Sequence, residues 1–232
     1  MPSIFQLALG TDFDRLHPQM RRRFGFTSSD QTGCIGSGVM GQIWRRGSWM
    51  VPFLWLGTHR HVLFPDRGTD VPFTIENYAY LDSFRRETLT FVRTFEIRPT
   101  RRRRFDATMV YNPDRGCVVD YLGTHQHLAV AVRLAVAARV AVDQHGGLWV
   151  RSGRFRLLEG RLSVPIPAVA AGRAQLHEWY DENEQRFRIE VQISHPWVGP
   201  MLGYSGSFTT SYLGPGQPVP AAVKPLREEI RC

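Results

Sequence analysis

At 232 residues, 43% hydrophobic and 12% aromatic, the chain is long enough to bury roughly 70% of its unfolded surface and too apolar for disorder. Its apolar runs fall well short of the roughly 20 residues of a spanning helix, and MPSIFQLALGTDFD at the amino terminus lacks a basic leader, so neither a membrane crossing nor a cleaved secretory signal is expected. The net charge of +8 hints at nucleic acid, but Lys224 is the only lysine, and an arginine-only balance fits GC-rich codon usage better than a phosphate-binding face.

In chain order, Thr11 with Asp14 has the form of a capping box. Phe13, Leu16, Met20 and Phe24 follow at near-helical spacing, with Gly25 as the stop and Pro18 as a kink or a split. Arg21, Arg22 and Arg23 fall at the end of this helix, where cations suit the dipole. Residues 33–41, GCIGSGVMG, lack the GK[ST] of a phosphate loop and a GxGxxG opening a helix, so they read as a loop or bulged strand. Residues 42–64 are the most aromatic stretch, and their pattern leaves helix or strands open.

From residue 71 the period becomes two. In ETLTFVRTFEI (87–97), Leu89, Phe91, Arg93, Phe95 and Ile97 share one face. Arg101–Arg104 fall in a turn between strands. Phe105, Ala107, Met109 and Tyr111 alternate next, and NPDRG (112–116) turns the chain into CVVDYLG. Further strands are expected at 128–142, 148–158, 173–180, 187–193 and 203–212, the first of them long and bent because β-branched residues take every second position. Nine to ten strands in sequential hairpins, without alternating helices, predict a mainly β protein: a single antiparallel curved sheet or barrel with a short N-terminal helix. Residues 1–70 supply that helix and the aromatic segment, 71–212 the antiparallel core, and 213–232 a proline-rich tail wrapped on the surface or loose, all within one domain. Cys34, Cys117 and Cys232 are odd in number and far apart, as reduced thiols of a cytoplasmic protein would be.

The stretches DFDRLHPQMRRRFG, VPFTIENYAYLD, ETLTFVRTF, RFDATMVY and ISHPWVGPMLGYSGSF together resemble the bacterial family called domain of unknown function 4166. The likeness runs from about residue 12 to 212. Its most specific part is carboxyl-terminal, where His195, Pro196, Gly199, Tyr204, Gly206 and Phe208 stand in register. The family's occurrence alone and fused to Rossmann-type oxidoreductase-like domains implies small-molecule metabolism, and these 232 residues leave no room for the fused domain. The resemblance brings no catalytic residues with it.

Arg93 is the most informative residue, because a guanidinium among Phe91 and Phe95 needs a carboxylate, carbonyls or a ligand oxyanion. Asp106 and Asp120 are the nearest partners by strand adjacency, although the alternation sets both opposite Phe105 and Met109. His59/His61 and His125/His127 form two His-x-His pairs of metal-ligand type, but the glutamate of cupin-type barrels is missing after His127, and no metal is expected. His195, extended by Pro196, and Tyr204 pair as proton donor and acceptor, or else as a turn cap and a packed phenol. Glu178, between His177 and Trp179, reads in the same way, as an acid/base group or else as part of a solvated face. No Gx[ST]xG elbow or HExxH supports a hydrolase.

The expected function is a small-molecule-binding β-barrel with an apolar aromatic pocket acting as a cofactor-independent cyclase or isomerase on a hydrophobic specialised metabolite. Arg93, His195 and Tyr204 would be catalytic, and Phe91, Phe95, Met109, Tyr111, Tyr121 and Trp197 would line the pocket. Alternatives are a non-catalytic carrier or sensor, a metal-dependent barrel enzyme and a nucleic-acid-binding module. The expected partner is the small molecule, with no cofactor and no membrane; a homodimer is left open.

Overall fold

Ser3 Oγ accepts a hydrogen bond from the Gln6 N–H while Gln6 Oε1 accepts from the Ser3 N–H. This reciprocal capping box starts α1 (Ile4–Leu9), eight residues earlier than the box expected at Thr11. The Thr11–Asp14 segment lies in a 3-10 turn over 10–15. Pro18 opens a second helix, α2 (Pro18–Gly25), rather than kinking the first, as its fixed φ and missing N–H favour. The computed structural model describes residues 1–136, 146–167 and 172–231.

The glycine-rich segment is a bulged strand. β1 (Gly33–Arg45) shifts register between Val39 and Gln42 against β11 (Gly199–Tyr212). Its glycines permit close packing: a Cβ on Gly38 would fall 2.0 Å from the Ser207 carbonyl oxygen. The aromatic segment divides between the end of β1 and a helix, α3 (Val51–Thr58). The period-two region becomes β2 (Gly68–Leu81), β3 (Glu87–Arg98), β4 (Arg101–Asn112), β5 (Cys117–Leu122), β6 (Leu128–Val136), β7 (Leu148–Glu159), β8 (Leu162–Ile166), β9 (Arg173–Asp181) and β10 (Arg186–His195). Arg101–Arg104 are thus not a turn: they open β4 and pair with the end of β3. The end of the strand expected over 128–142 lies outside the described residues.

The protein is mainly β, with a single antiparallel sheet and short N-terminal helices. Among the described residues the sheet has eleven strands in the order β6-β5-β4-β3-β2-β1-β11-β10-β9-β7-β8. β6 also pairs with β7, from Leu128 opposite Leu157 to Val136 opposite Leu148, so the sheet curves until its far parts are hydrogen-bonded to each other. One face is concave and carries the main core, including Leu89, Phe91 and Phe95 of β3. α1 and α2 cover one end of this core: the Phe5 and Phe24 rings lie 4.7 Å apart, and each lies 6.5 Å from Phe91. α3 lies at the opposite end, with Met50 and Leu54 packed on Met201 and Leu202.

The outer face of β3–β5 is covered by the tail. Thr90 Oγ1 donates to the Val223 carbonyl, the Leu226 N–H to Thr124, and the Glu229 N–H to Gln126 Oε1. Glu229 accepts from Arg227 and Arg231, which holds its carboxyl down at about 2, with the Arg231 hydrogen bond as the main cause.

Candidate functional site

Between the helical plug and α3 the concave face encloses a cavity of about 630 Å³. Its wall is mostly apolar, from Phe105 and Met109 of β4, Leu122 of β5, Val130 of β6, Val150 and Phe155 of β7, and Val191 of β10. Trp49 and Phe53 also line it and are exposed, so the cavity reaches the surface beside α3.

Three buried polar groups inside it keep unsatisfied atoms among the described residues. Arg93 is 3% exposed, Tyr204 5% and Asp120 8%. Among the described residues, Arg93 Nε and Nη1, Asp120 Oδ1 and the Tyr204 hydroxyl have no hydrogen-bond partner. Strand register brings them together. Arg93 stands opposite Phe105, and Asp120 opposite Met109 on one side and Val130 on the other. Residues directly opposite in an antiparallel pair point to the same face. Tyr204 of β11 faces Val191 and closes the wall against Phe95, with ring centroids 5.2 Å apart.

The Arg93 guanidinium lies 4.8 Å from the Phe105 ring and 5.4 Å from that of Phe91, a cation–π setting that compensates part of its lost hydration. No salt bridge joins Arg93 to Asp120 among the described residues. Burial pushes the Asp120 carboxyl up to about 7, against the opposing pull of Arg93. Burial also raises the Tyr204 phenol, again partly offset by Arg93. The site therefore holds a fixed cation, a phenol that keeps its proton and a carboxyl that exchanges one near neutral pH.

Arg93, His195 and Tyr204, read as a group from the sequence, all line this cavity. His195 sits at its rim, half-buried, and its Nδ1 accepts the Trp197 N–H at 3.2 Å, so it also caps the β10–β11 turn. Of the six expected pocket residues, Met109 lines the cavity. Phe91 and Phe95 point to the concave face, but other rings cover them and they form core beneath the cavity. Tyr111, further towards the helical plug, packs half-buried against the same core. Tyr121 is on the outer face, in a cluster with Val110, Val119, Ala129 and Leu158, and donates to the Arg231 carbonyl. Trp197 is exposed beyond the rim.

Asp120 was expected on the face away from Met109 and is on the same one. The β5 pattern did not reveal this, because the tail covers the outer face and Val118, Val119, Asp120 and Tyr121 are all buried. Asp106 does point outward, towards Arg104 Nε at 2.7 Å and His61 Nδ1 at 3.3 Å. Glu178 is not solvated: it accepts from Arg23 Nε at 2.5 Å, and both side chains are buried.

The two His-x-His pairs lie on adjoining loops, where the Thr124 N–H donates to the Arg60 carbonyl. His127 pairs with Glu159 at 2.8 Å and meets Arg60 Nη1 at 2.9 Å. No group of three or more metal-ligating side chains comes together among the described residues.

A family model described as "Domain of unknown function (DUF4166)" matches residues 16–208. The chain belongs to that family. A relative, "Uncharacterized protein YndH" of Bacillus subtilis (strain 168), is 30% identical over 209 residues, which span 90% of this chain and 97% of that protein. In this DUF4166 chain the matched span begins at Leu16, just before α2, and ends at Phe208, so it takes in Arg93, Asp120, His195 and Tyr204.

Proposed function

We propose that the protein binds a hydrophobic small molecule with one oxygen-bearing end in this cavity, its sheet curled around the ligand like a barrel, and that it moves a proton on that molecule without a cofactor. The observation that carries the reading is the set of buried, unpartnered polar atoms on Arg93, Asp120 and Tyr204. Each such group costs about 1–3 kcal/mol, and more when charged, a cost that a ligand oxygen between them removes. Arg93 and Tyr204 donate to a carbonyl that gains negative charge as an enolate forms. Asp120 takes the proton from the carbon beside it, and its return to another carbon gives an isomer of the same composition. A carboxyl tuned near neutral pH suits both halves of that exchange.

A carrier has the same cavity without the chemistry. Asp120 favours catalysis, since a carboxyl held near neutral pH beside two donors is placed as a general base, whereas holding a ligand oxygen needs only Arg93 and Tyr204. A nucleic-acid role draws less support: Arg101 and Arg103 pair with Asp66, Arg102 with Glu96, and Arg104 with Asp106. The test extracts the small molecule expected to co-purify with the protein from its own host and incubates it with the protein in D2O. Deuterium should enter it with the intact chain and fall at least a hundredfold with Asp120→Asn, while Asp120→Asn still binds. Equal exchange by both proteins would reject proton transfer by Asp120; binding without exchange by either would favour the carrier.

A further inference from the structure

α3 carries no charged side chain, and Leu54 is its one buried residue. A helix packed on a globular body normally turns an apolar stripe inward and a polar face outward. Here the outward face is apolar too: Phe53 is 73% exposed and Leu56 71%. The Arg46 N–H donates to the Met201 carbonyl at 2.6 Å, which sets the approach to α3 beside the β10–β11 turn. There Trp197 is 79% exposed, next to exposed Val198. With Trp49 and Trp55 also exposed, the cavity mouth has an apolar rim. Isolated exposed apolar side chains are ordinary; several on adjoining segments mark a contact surface.

The charge at this end gives the partner's sign. Residues 45–70 and 96–103 hold eight arginines against three acidic residues. Asp66 is taken up by Arg101 and Arg103, and Glu96 by Arg102. Arg46, Arg67 and Arg98 remain exposed, and the Arg103 guanidinium lies over the Trp55 ring at 5.2 Å. α3 is not itself amphipathic, but exposed aromatic and leucine side chains with arginines on the adjoining segments form a surface suited to a lipid interface, the apolar groups entering the headgroup boundary and the cations meeting anionic headgroups.

We infer that this end of the molecule docks on an anionic bilayer surface. Phe53, Leu56 and Trp197 enter the boundary between headgroups and acyl chains, the arginines meet anionic headgroups, and the cavity mouth faces the membrane. The expectation of no membrane partner rested on the lack of a spanning segment, and no helix of the described residues is long and apolar enough to cross; an interfacial helix needs no such length. A second copy fits less well, because a two-fold contact through this surface would set arginines against arginines.

Flotation of the full chain with vesicles tests this, using phosphatidylcholine alone and phosphatidylcholine mixed in equal parts with phosphatidylglycerol. The protein should float with the anionic vesicles and remain behind with the neutral ones. Replacing Phe53, Leu56 and Trp197 together by serine, all at exposed positions, should lower the bound fraction at least about tenfold with an unchanged circular dichroism spectrum. Arg46→Glu with Arg98→Glu should lower it similarly. Absence of flotation with anionic vesicles, or undiminished flotation of the serine variant, overturns the inference. So does a dimer by light scattering that the serine variant loses while neither protein floats, a result that gives the rim to a second copy.

Discussion

Asp120 makes the electrostatic state of the cavity depend on pH. Its carboxyl sits at about 7 when folded, against an ordinary 3.8, because burial disfavours the charged form more than Arg93 favours it. Between these values the folded state keeps a proton that the unfolded chain has released. The stability this contributes is therefore complete below about pH 4 and lost as pH rises through about 7, a difference of roughly 4 kcal/mol. Asp120→Asn, which keeps the shape and cannot ionise, should flatten that fall and be the more stable protein at alkaline pH. Urea unfolding of both proteins across this range checks it, and parallel curves would refute the assignment. The sequence made Arg93 conspicuous because β3 alternates cleanly, with Leu89, Phe91 and Phe95 on its face and threonines on the other. The face of Asp120 is not legible in the sequence, since both faces of β5 are buried and its neighbours carry no period-two contrast.

At the scale of elements, the helical plug is tied to the sheet by one buried charge pair. Arg23 of α2 donates to Glu178 of β9 and to Cys34 Sγ at 3.3 Å, with its guanidinium 5.0 Å from the Phe208 ring. Glu178→Ala leaves that guanidinium buried without its counter-charge, so the expected loss is about 3–5 kcal/mol of unfolding free energy. Replacing both partners by methionine should recover most of it. A loss below about 1 kcal/mol for the single variant, measured by chemical denaturation, would mean that the plug is held by packing alone. The pair joins residues 155 positions apart, and local pattern carries no information at that separation. In the sequence Arg23 therefore reads as a helix-end cation, and Glu178 as an acid/base group or part of a solvated face. The helix boundaries are legible only where a local rule acts: Pro18 marks a division, whereas Thr11 and Asp14 carry a box pattern that competes with the true one at Ser3 and Gln6.

Across the whole molecule, the antiparallel sheet was readable because alternating strands and turn residues repeat from residue 71 onward, and each hairpin needs only its neighbour. What encloses the cavity was not readable. The helical plug, α3 at the mouth and the tail on the outer face are set by contacts between distant segments, and the tail in particular masks the alternation of the strands it covers. The resulting arrangement is a curved sheet, plugged at one end, with an apolar cavity in which a cation, a carboxyl and a phenol wait for partners. Native mass spectrometry of the protein purified from its own host, beside a denatured control, tests this most directly. The account predicts an added small-molecule mass that disappears on denaturation and is weakened by Arg93→Ala. The bare polypeptide mass under native conditions, after purification from cells in which the protein is expressed at its natural level, would contradict it.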